Sequence, residues 1–388
     1  MKFKGIIIIF LFGLVSLFGD IVYEGVRSVS GPFLASIGAS AVIIGFFSGF
    51  GEFLTYFLRF FSGYISDKKK LYWTFTIIGY SLICFLPLLA FTKIWQIAII
   101  LILFERIGKA IRTPSRDALI SIAGKNIGYG KSFGVHEVLD QIGGVLGPLI
   151  FFLSLSKFKN YSFAFNLMWF PCLLLILTLF FLKKNYTISI ENEEKDKLYE
   201  KNKFGQKFIF YLFFVFFSVS GLITFPLISY HLSFKKIVVL SNIPVFYIIA
   251  MGVDGIVALF IGNLYDKIKL KSLIIVPFFT ILLPFLSFSS NIVLSIIGII
   301  IFGCILGCHE TILRASVADI ISTSKRGFAY GIFNSIYGIA FFIGSWIIGF
   351  LYENYFEFIP FYIIFVEIIS FVFLIVQIKR KNVVEKAR

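Results

Sequence analysis

Three ionisable side chains at helical spacing interrupt the first apolar stretch of this chain: Asp20, Glu24 and Arg27. Separations of four and three residues put them on one side of a helix. Glu52, Glu105 and Asp140 stand in later apolar stretches, with Arg59, Arg106 and Lys109 as basic neighbours. A charged group in hydrocarbon costs about 3 kcal/mol or more unless it faces protein or water, so these residues mark a polar interior. The chemistry open to them is reversible proton binding. A buried carboxyl is charged while a cation sits beside it and takes a proton when that cation withdraws, so a moving helix can load and release protons. The plainer alternative is a set of permanent ion pairs that hold helices in register. Histidine ordinarily titrates near neutrality, but the place of His136 close to a helix end suits a gate better. The four cysteines, Cys84, Cys172, Cys304 and Cys308, all fall in apolar stretches and read as small hydrophobic residues. Cys304, Cys308 and His309 lack a fourth ligand nearby, so no metal centre and no cofactor are expected.

The elements that carry these groups are membrane helices. Of 388 residues, 59% are hydrophobic and only 15% are charged. Apolar stretches of about 20 residues, each able to cross about 30 Å of hydrocarbon, recur along the chain. They read as twelve spans: 5–36, 41–66, 71–91, 94–122, 130–154, 160–182, 207–232, 240–265, 270–288, 292–321, 327–352 and 357–379. Lys2 and Lys4 precede the first, which reads as an uncleaved helix because no small-residue cleavage site follows. At about 1.5 Å per residue, Asp20 lies about 24 Å beyond Lys4, a little past mid-membrane.

The net charge of +15 suggests nucleic acid only until its distribution is considered. Alternate connecting segments carry 24 Lys and Arg, against five in the segments on the opposite side. This asymmetry predicts both termini in the cytoplasm of a multi-pass cell-membrane protein, with anionic lipid headgroups rather than nucleic acid as partners. The polar stretch 183–206 reads as a cytoplasmic linker between a six-helix bundle, 1–182, and a second, 207–388.

Two charged turns support a duplication. Gly63 and Asp67 close the second span before Lys68-Lys69-Lys70; Gly262 and Asp266 close the eighth before Lys267-Ile268-Lys269, an offset of 199. Gly134 and Gly147 in the fifth span match Gly331 and Gly344 at an offset of 197. Repeated halves of this kind are characteristic of transporters. Near the first turn, Arg112, Arg116 and Asp117 predict a charge network with Asp67 that fastens helix ends in one state; Glu310, Arg314 and Asp319 with Asp266 would be its counterpart. Spans 3, 6 and 9 carry no Asp, Glu, Lys, Arg or His away from their ends and span 12 only Glu367, which predicts that every third helix supports the bundle from outside.

With these features the chain resembles the major facilitator superfamily. The doubled Gly-x-x-x-Asp-basic turn is similar to that family's loop between helices 2 and 3 and its repeat between helices 8 and 9. Lysines stand in the first turn where the family usually has a glycine. Arg106 resembles the basic residue of helix 4 in proton-coupled members. Gly134, Gly143 and Gly147-Pro148 are similar to the helix 5 motif of the drug–proton antiporters, although Phe151-Phe152 replace its closing glycines. The resemblance implies an all-α polytopic protein of twelve transmembrane helices in two six-helix bundles, acting as a monomer by alternating access. It implies proton-coupled efflux of an organic or drug-like compound, with import or exchange of a polar metabolite, organic ion or metal ion as the alternative. No phosphate-cradling loop or hydrolytic constellation points to an enzyme.

Overall fold

A computed structural model describes residues 2–124, 127, 129–185, 205–321 and 326–386. Most of the expected linker, 186–204, therefore lies outside the described residues. The described chain is helical, and its helices follow the apolar stretches closely. They are α1 (Lys2–Ser36), α2 (Ala41–Lys69), α3 (Tyr72–Ser81), α4 (Trp95–Gly124), α5 (Tyr129–Phe158), α6 (Tyr161–Leu167), α7 (Trp169–Asn185), α8 (Gln206–Ser220), α9 (Phe225–Phe234), α10 (Ile243–Ile268), α11 (Ile275–Ser287), α12 (Ile292–Cys308), α13 (Arg314–Ile320), α14 (Arg326–Asn354) and α15 (Ile359–Lys386).

Several expected continuous spans are interrupted. The third passes from α3 into a 3-10 segment, Leu82–Phe91, that contains Pro87. The sixth divides into α6 and α7 at Met168; Asn160 caps α6, its side chain accepting from the Ser162 amide at 2.8 Å. The seventh breaks over Gly221–Thr224, between α8 and α9. Pro226, in the first turn of α9, has no amide hydrogen to continue the ladder from α8, which accounts for the break. The tenth contains a π-helical turn, His309–Leu313.

Among the described residues, ten helical stretches are long and apolar enough to cross a membrane. One of them, Leu240–Ser287, is 48 residues long and holds both α10 and α11. The 30-residue α4 is not among the ten, because Glu105, Arg106, Lys109, Arg112, Arg116 and Asp117 crowd its middle. Large apolar side chains such as Phe91, Phe170, Leu259 and Phe260 are exposed, as expected of surfaces solvated by lipid.

The chain forms two compact units. One comprises Met1–Ala39, Leu54–Glu193 and Val238–Ile248; the other comprises Ser40–Phe53, Glu194–Ile237 and Ile249–Arg388. Both α2 and α10 thus pass from one unit to the other along their length. In the first unit α1 packs along α5 and α7, and α3 along α4. Ile8, Phe12, Tyr72, Leu119, Ile120 and Leu182 form an apolar core there, with the Trp73 ring stacked on Phe12 at 5.7 Å. In the second unit α8 packs against α14 and α15, and α11 against α12 and α15.

Glycines determine how close two of these pairs come. A Cβ on Gly147 would strike the Ile21 carbonyl, and one on Gly143 would stand 2.5 Å from the Leu17 carbonyl, so α5 rests backbone to backbone on α1. Gly344, the repeat partner of Gly147, stands in the same way against the Ser220 carbonyl and seats α14 on α8. Gly134 behaves differently, since nothing lies within 4 Å of where its Cβ would be. Of the expected helix 5 run, Gly143 and Gly147 serve packing and Gly134 does not. Pro148 is buried directly after the contact.

Candidate functional site

The polar residues of the first unit converge along α1 and α4. Arg106, Lys109 and Arg112 recur every three residues and therefore share a face of α4. That face meets Tyr23 of α1, which is buried at 3% exposure. The Tyr23 hydroxyl accepts from Arg27 Nη1 at 2.7 Å and from Lys109 Nζ at 2.8 Å. Its ring is covered by Lys109 Nζ at 4.3 Å and by the Arg106 guanidinium at 5.5 Å. Cation–π attraction is worth about 2 kcal/mol where water is excluded, so one tyrosine holds three cations together.

Beside it, Glu24 is 8% exposed. One of its oxygens stands 3.9 Å from Arg27 Nη1, at the outer limit of an ion pair. The other accepts a hydrogen bond from the Tyr247 hydroxyl. Tyr247 lies in the opening turns of α10, on the part that belongs to the first unit. A residue from the second half of the sequence is thus bonded to the central carboxylate of the first half.

Glu105 has different company. At 2% exposure it lies between two cations, 3.6 Å from Arg106 Nε and 3.6 Å from Arg112 Nη2. The Arg112 guanidinium also covers the Tyr80 ring at 5.1 Å. The expected network of Asp67, Arg112, Arg116 and Asp117 is consequently divided. Arg112 turns inward to Glu105. Arg116 binds its neighbour Asp117 at 2.8 Å and donates to Ser16 of α1 at 3.2 Å. Asp67 is exposed and accepts from the Tyr72 hydroxyl at 3.0 Å. The reason is burial: Glu105 has almost no water to solvate it and needs the cation more than Asp67 does.

Asp20 lies within electrostatic reach of Asp140, Glu24, Lys109 and Arg112. Asp140 faces His136 Nδ1 at 3.3 Å, one helical turn away on α5. Glu52 belongs to the second unit and Arg59 to the first, where its guanidinium lies 5.4 Å from the Tyr56 ring. Not all of the expected proton-binding set is therefore gathered at one point.

The counterpart turn is looser. Lys269 pairs with Asp319 at 3.4 Å and approaches Asp266 at 3.9 Å, while the Tyr265 hydroxyl donates to Asp319 at 3.0 Å. Glu310 and Arg314 are exposed, and the Arg314 carbonyl accepts from the Tyr330 hydroxyl at 3.0 Å. The repeated glycines face their neighbours alike: a Cβ on Gly63 would stand 3.4 Å from Pro114 of α4 and one on Gly262 3.4 Å from Thr311, both ordinary contact distances. Sequence reasoning missed Tyr23, Tyr247 and the buried Asp254 of α10. His309 Nδ1 lies 3.2 Å from the Tyr337 hydroxyl, and among the described residues no three His, Cys, Asp or Glu gather as metal ligands.

A buried column of charge on apolar helices, in a chain with a doubled acidic turn, defines a membrane transporter. The sequence model of the major facilitator superfamily matches residues 8–345 and 240–388, and the chain belongs to that family. It is therefore a multi-pass membrane transporter rather than an enzyme. An uncharacterized protein of Mycobacterium tuberculosis is 34% identical over 352 residues, 88% of this chain and 86% of that protein. An uncharacterized MFS-type transporter of Methanocaldococcus jannaschii is 27% identical over 358 residues, 89% and 88% of the two chains. Among solved structures, the nucleoside transporter NupG superposes with a TM-score of 0.71 at 15% identity, covering 96% of this chain and 98% of its own. A bacterial homolog of the human lysosomal transporter Spinster superposes with a TM-score of 0.68 at 13% identity, covering 96% of each chain. At such identities the likeness is one of fold.

Proposed function

We propose that this protein is a proton-coupled secondary transporter that exports a small organic compound across the cell membrane. On this reading the helices make twelve crossings in two six-helix bundles, both termini are cytoplasmic and the monomer is the working unit. The division of Lys and Arg among connecting segments supports the orientation. The close seating of α5 on α1 through Gly143 and Gly147 supports the likeness to drug–proton antiporters.

The observation that carries the proposal is the contrast between Glu24 and Glu105. Glu105 is clamped by two arginines and serves as a fixed structural pair. Glu24 has one distant cation, already drawn to Tyr23, and one neutral hydroxyl on α10. Its partners can be exchanged. A proton on Glu24 weakens its hold on Tyr247 and Arg27, so proton loading loosens the contact between α1 and α10. The proton is thereby tied to helix movement, which is what coupling requires.

The test is proton flux in proteoliposomes carrying a pH-sensitive dye, with cationic, neutral and anionic compounds added in turn. Compound-dependent proton movement that disappears in Glu24→Gln supports the proposal. Compound movement without protons, unchanged in that variant, overturns it. A second reading, import or exchange of an organic anion, is favoured by the convergence of Arg27, Arg106 and Lys109 on Tyr23. Nucleosides and their phosphorylated forms belong in the same screen.

A further inference from the structure

The second unit contains a carboxyl that the coupling cluster does not use. Glu367, the only acidic residue in the apolar body of α15, is 0% exposed. Neither of its oxygens has a hydrogen-bond partner. It faces the break between α8 and α9: a Cβ on Gly221 would stand 2.9 Å from Glu367 Oε1 and 3.4 Å from Thr280 Cγ2. Other polar residues of α15 meet the backbone of α8. Ser370 donates to the Phe214 carbonyl at 3.3 Å, and Gln377 to the Lys207 carbonyl at 3.4 Å. Tyr362 donates to the Ser220 carbonyl at 3.3 Å. Glu367 has no such donor to give, so its role differs.

Thr280 of α11 is the polar side chain beside it; its hydroxyl lies 2.9 Å from the Val276 carbonyl, to which it donates, and can turn towards Glu367 instead. A single hydroxyl hydrogen cannot serve both acceptors at once, and it brings no charge to offset a carboxylate. The α8 segment ends at Ser220, and the carbonyl end of a helix draws positive charge. Ser218 and Thr224, which flank the break, keep buried hydroxyls without partners. Among the described residues, no cation acts on Glu367 from the packed elements. Lys207 lies 14 residues before Gly221, about 21 Å along the chain if helical. In the turn before α11, Lys269 is engaged with Asp319 and Lys271 is exposed, and α11 carries no ionisable residue. Tyr211 of α8 is bonded to the Leu313 carbonyl; Glu353 of α14 accepts from the Val42 amide. Glu357, in the turn before α15, is exposed and acidic, and Tyr362 is neutral.

A fully buried carboxylate with no counter-charge beside it is too costly to persist, and a bound cation removes the cost. We propose that Glu367, Thr280 and the carbonyl end of α8 form a binding site for one small monovalent cation, a proton or a sodium ion. Broken helices whose carbonyls coordinate Na⁺ or H⁺ are a known device for such sites in transporters. The site lies on α15, where an outer support helix was expected, and goes beyond the proposed role of Glu24.

Infrared difference spectra of the purified protein against Glu367→Gln, recorded at neutral pH with sodium and with N-methylglucamine, test it. A protonated-carboxyl band that vanishes in Glu367→Gln and ignores sodium identifies a proton site. A band seen only without sodium, with a sodium-dependent thermal stabilisation weakened at least tenfold in the variant, identifies a sodium site. An ionised Glu367 in sodium-free buffer overturns the proposal. Thr280→Val supplies a second test if Glu367→Gln does not fold: it should move the band or weaken the sodium dependence. Glu24→Gln should leave the Glu367 signal intact, so failure here and failure of the coupling cluster are told apart.

Discussion

The α1–α5 seam of the first unit and the α8–α14 seam of the second are built on the same contact and filled with different chemistry. Gly147 sets one helix on the Ile21 carbonyl, and Gly344 sets the other on the Ser220 carbonyl. Around the first stand Tyr23, Glu24 and Arg27, with the cations of α4. Around the second stand Ser220, Thr280 and the lone acid Glu367. The two seams share a packing device and differ in their charges. Packing at a backbone contact depends on the absence of a side chain, which both copies need. Polarity depends on what the neighbouring helices carry, and this can differ between copies without altering the fold.

The largest effect should come from removing the charge that only the first seam has. Glu24→Gln should reduce proton-coupled transport by about 100-fold, near the upper range of coupling between two sites. Proteoliposome proton flux measures it, and compound binding should survive. Glu105→Gln should act differently. It leaves Arg106 and Arg112 buried without their carboxylate, and breaking a buried pair costs about 3–5 kcal/mol. The expected result is lower thermal stability and yield, and an undiminished melting temperature would show that Glu105 is no anchor.

The shared packing device can be broken in either copy. Gly147→Val and Gly344→Val should each destabilise by about 1–3 kcal/mol, the usual range for overpacking. Gly134→Ala, which meets open space inside α5, should instead stabilise by about 0.5–1 kcal/mol, the usual gain of alanine over glycine in a helix interior. Thermal unfolding in detergent, compared across the three, would refute the equivalence of the seams if Gly344→Val were silent. Tyr247→Phe follows in size. It deletes the hydroxyl that binds Glu24, and a hydrogen bond to a charged group contributes about 1.5–3 kcal/mol. Roughly tenfold faster exchange of α1 amides near Glu24, measured by hydrogen–deuterium exchange, is the expected outcome.

Most of the helical framework was legible because apolar runs and charged turns report directly on membrane solvation. Asp20, Glu24 and Arg27 were legible for the same reason, since charge inside an apolar run is conspicuous. Tyr23 and Tyr247 were not. In a chain with 52 Phe and 18 Tyr, an aromatic residue at helical spacing carries no sign that its hydroxyl is in use. Nor could spacing decide between Asp67 and Glu105 as the partner of Arg112; burial decided it, and burial is a tertiary property. The break in α8–α9 had a signal in Gly221 and Pro226, obscured by the apolar residues on both sides. Glu367 was visible as an isolated acid, but its complete burial and the lack of a cation beside it depend on how α8, α11 and α15 pack.

The smallest prediction concerns the repeated turn itself. Lys70 and Lys269 occupy matching positions after the two charged turns, at an offset of 199, and both have positive φ, 55° and 54°. The left-handed conformation costs an L-residue about 1–2 kcal/mol, and glycine adopts it freely. Glycine gives back about 0.5–1 kcal/mol through its greater freedom in the unfolded chain. The net expectation is that Lys70→Gly and Lys269→Gly each stabilise by about 0.5 kcal/mol. Lys70→Gly shows this gain cleanly. Lys269→Gly also removes the ion pair with Asp319 at 3.4 Å, whose half-exposed setting makes it worth about 0–1 kcal/mol. The second substitution should therefore gain less than the first. Equal gains in melting temperature would mean that the Lys269–Asp319 pair contributes nothing, and that the two turns differ in appearance only.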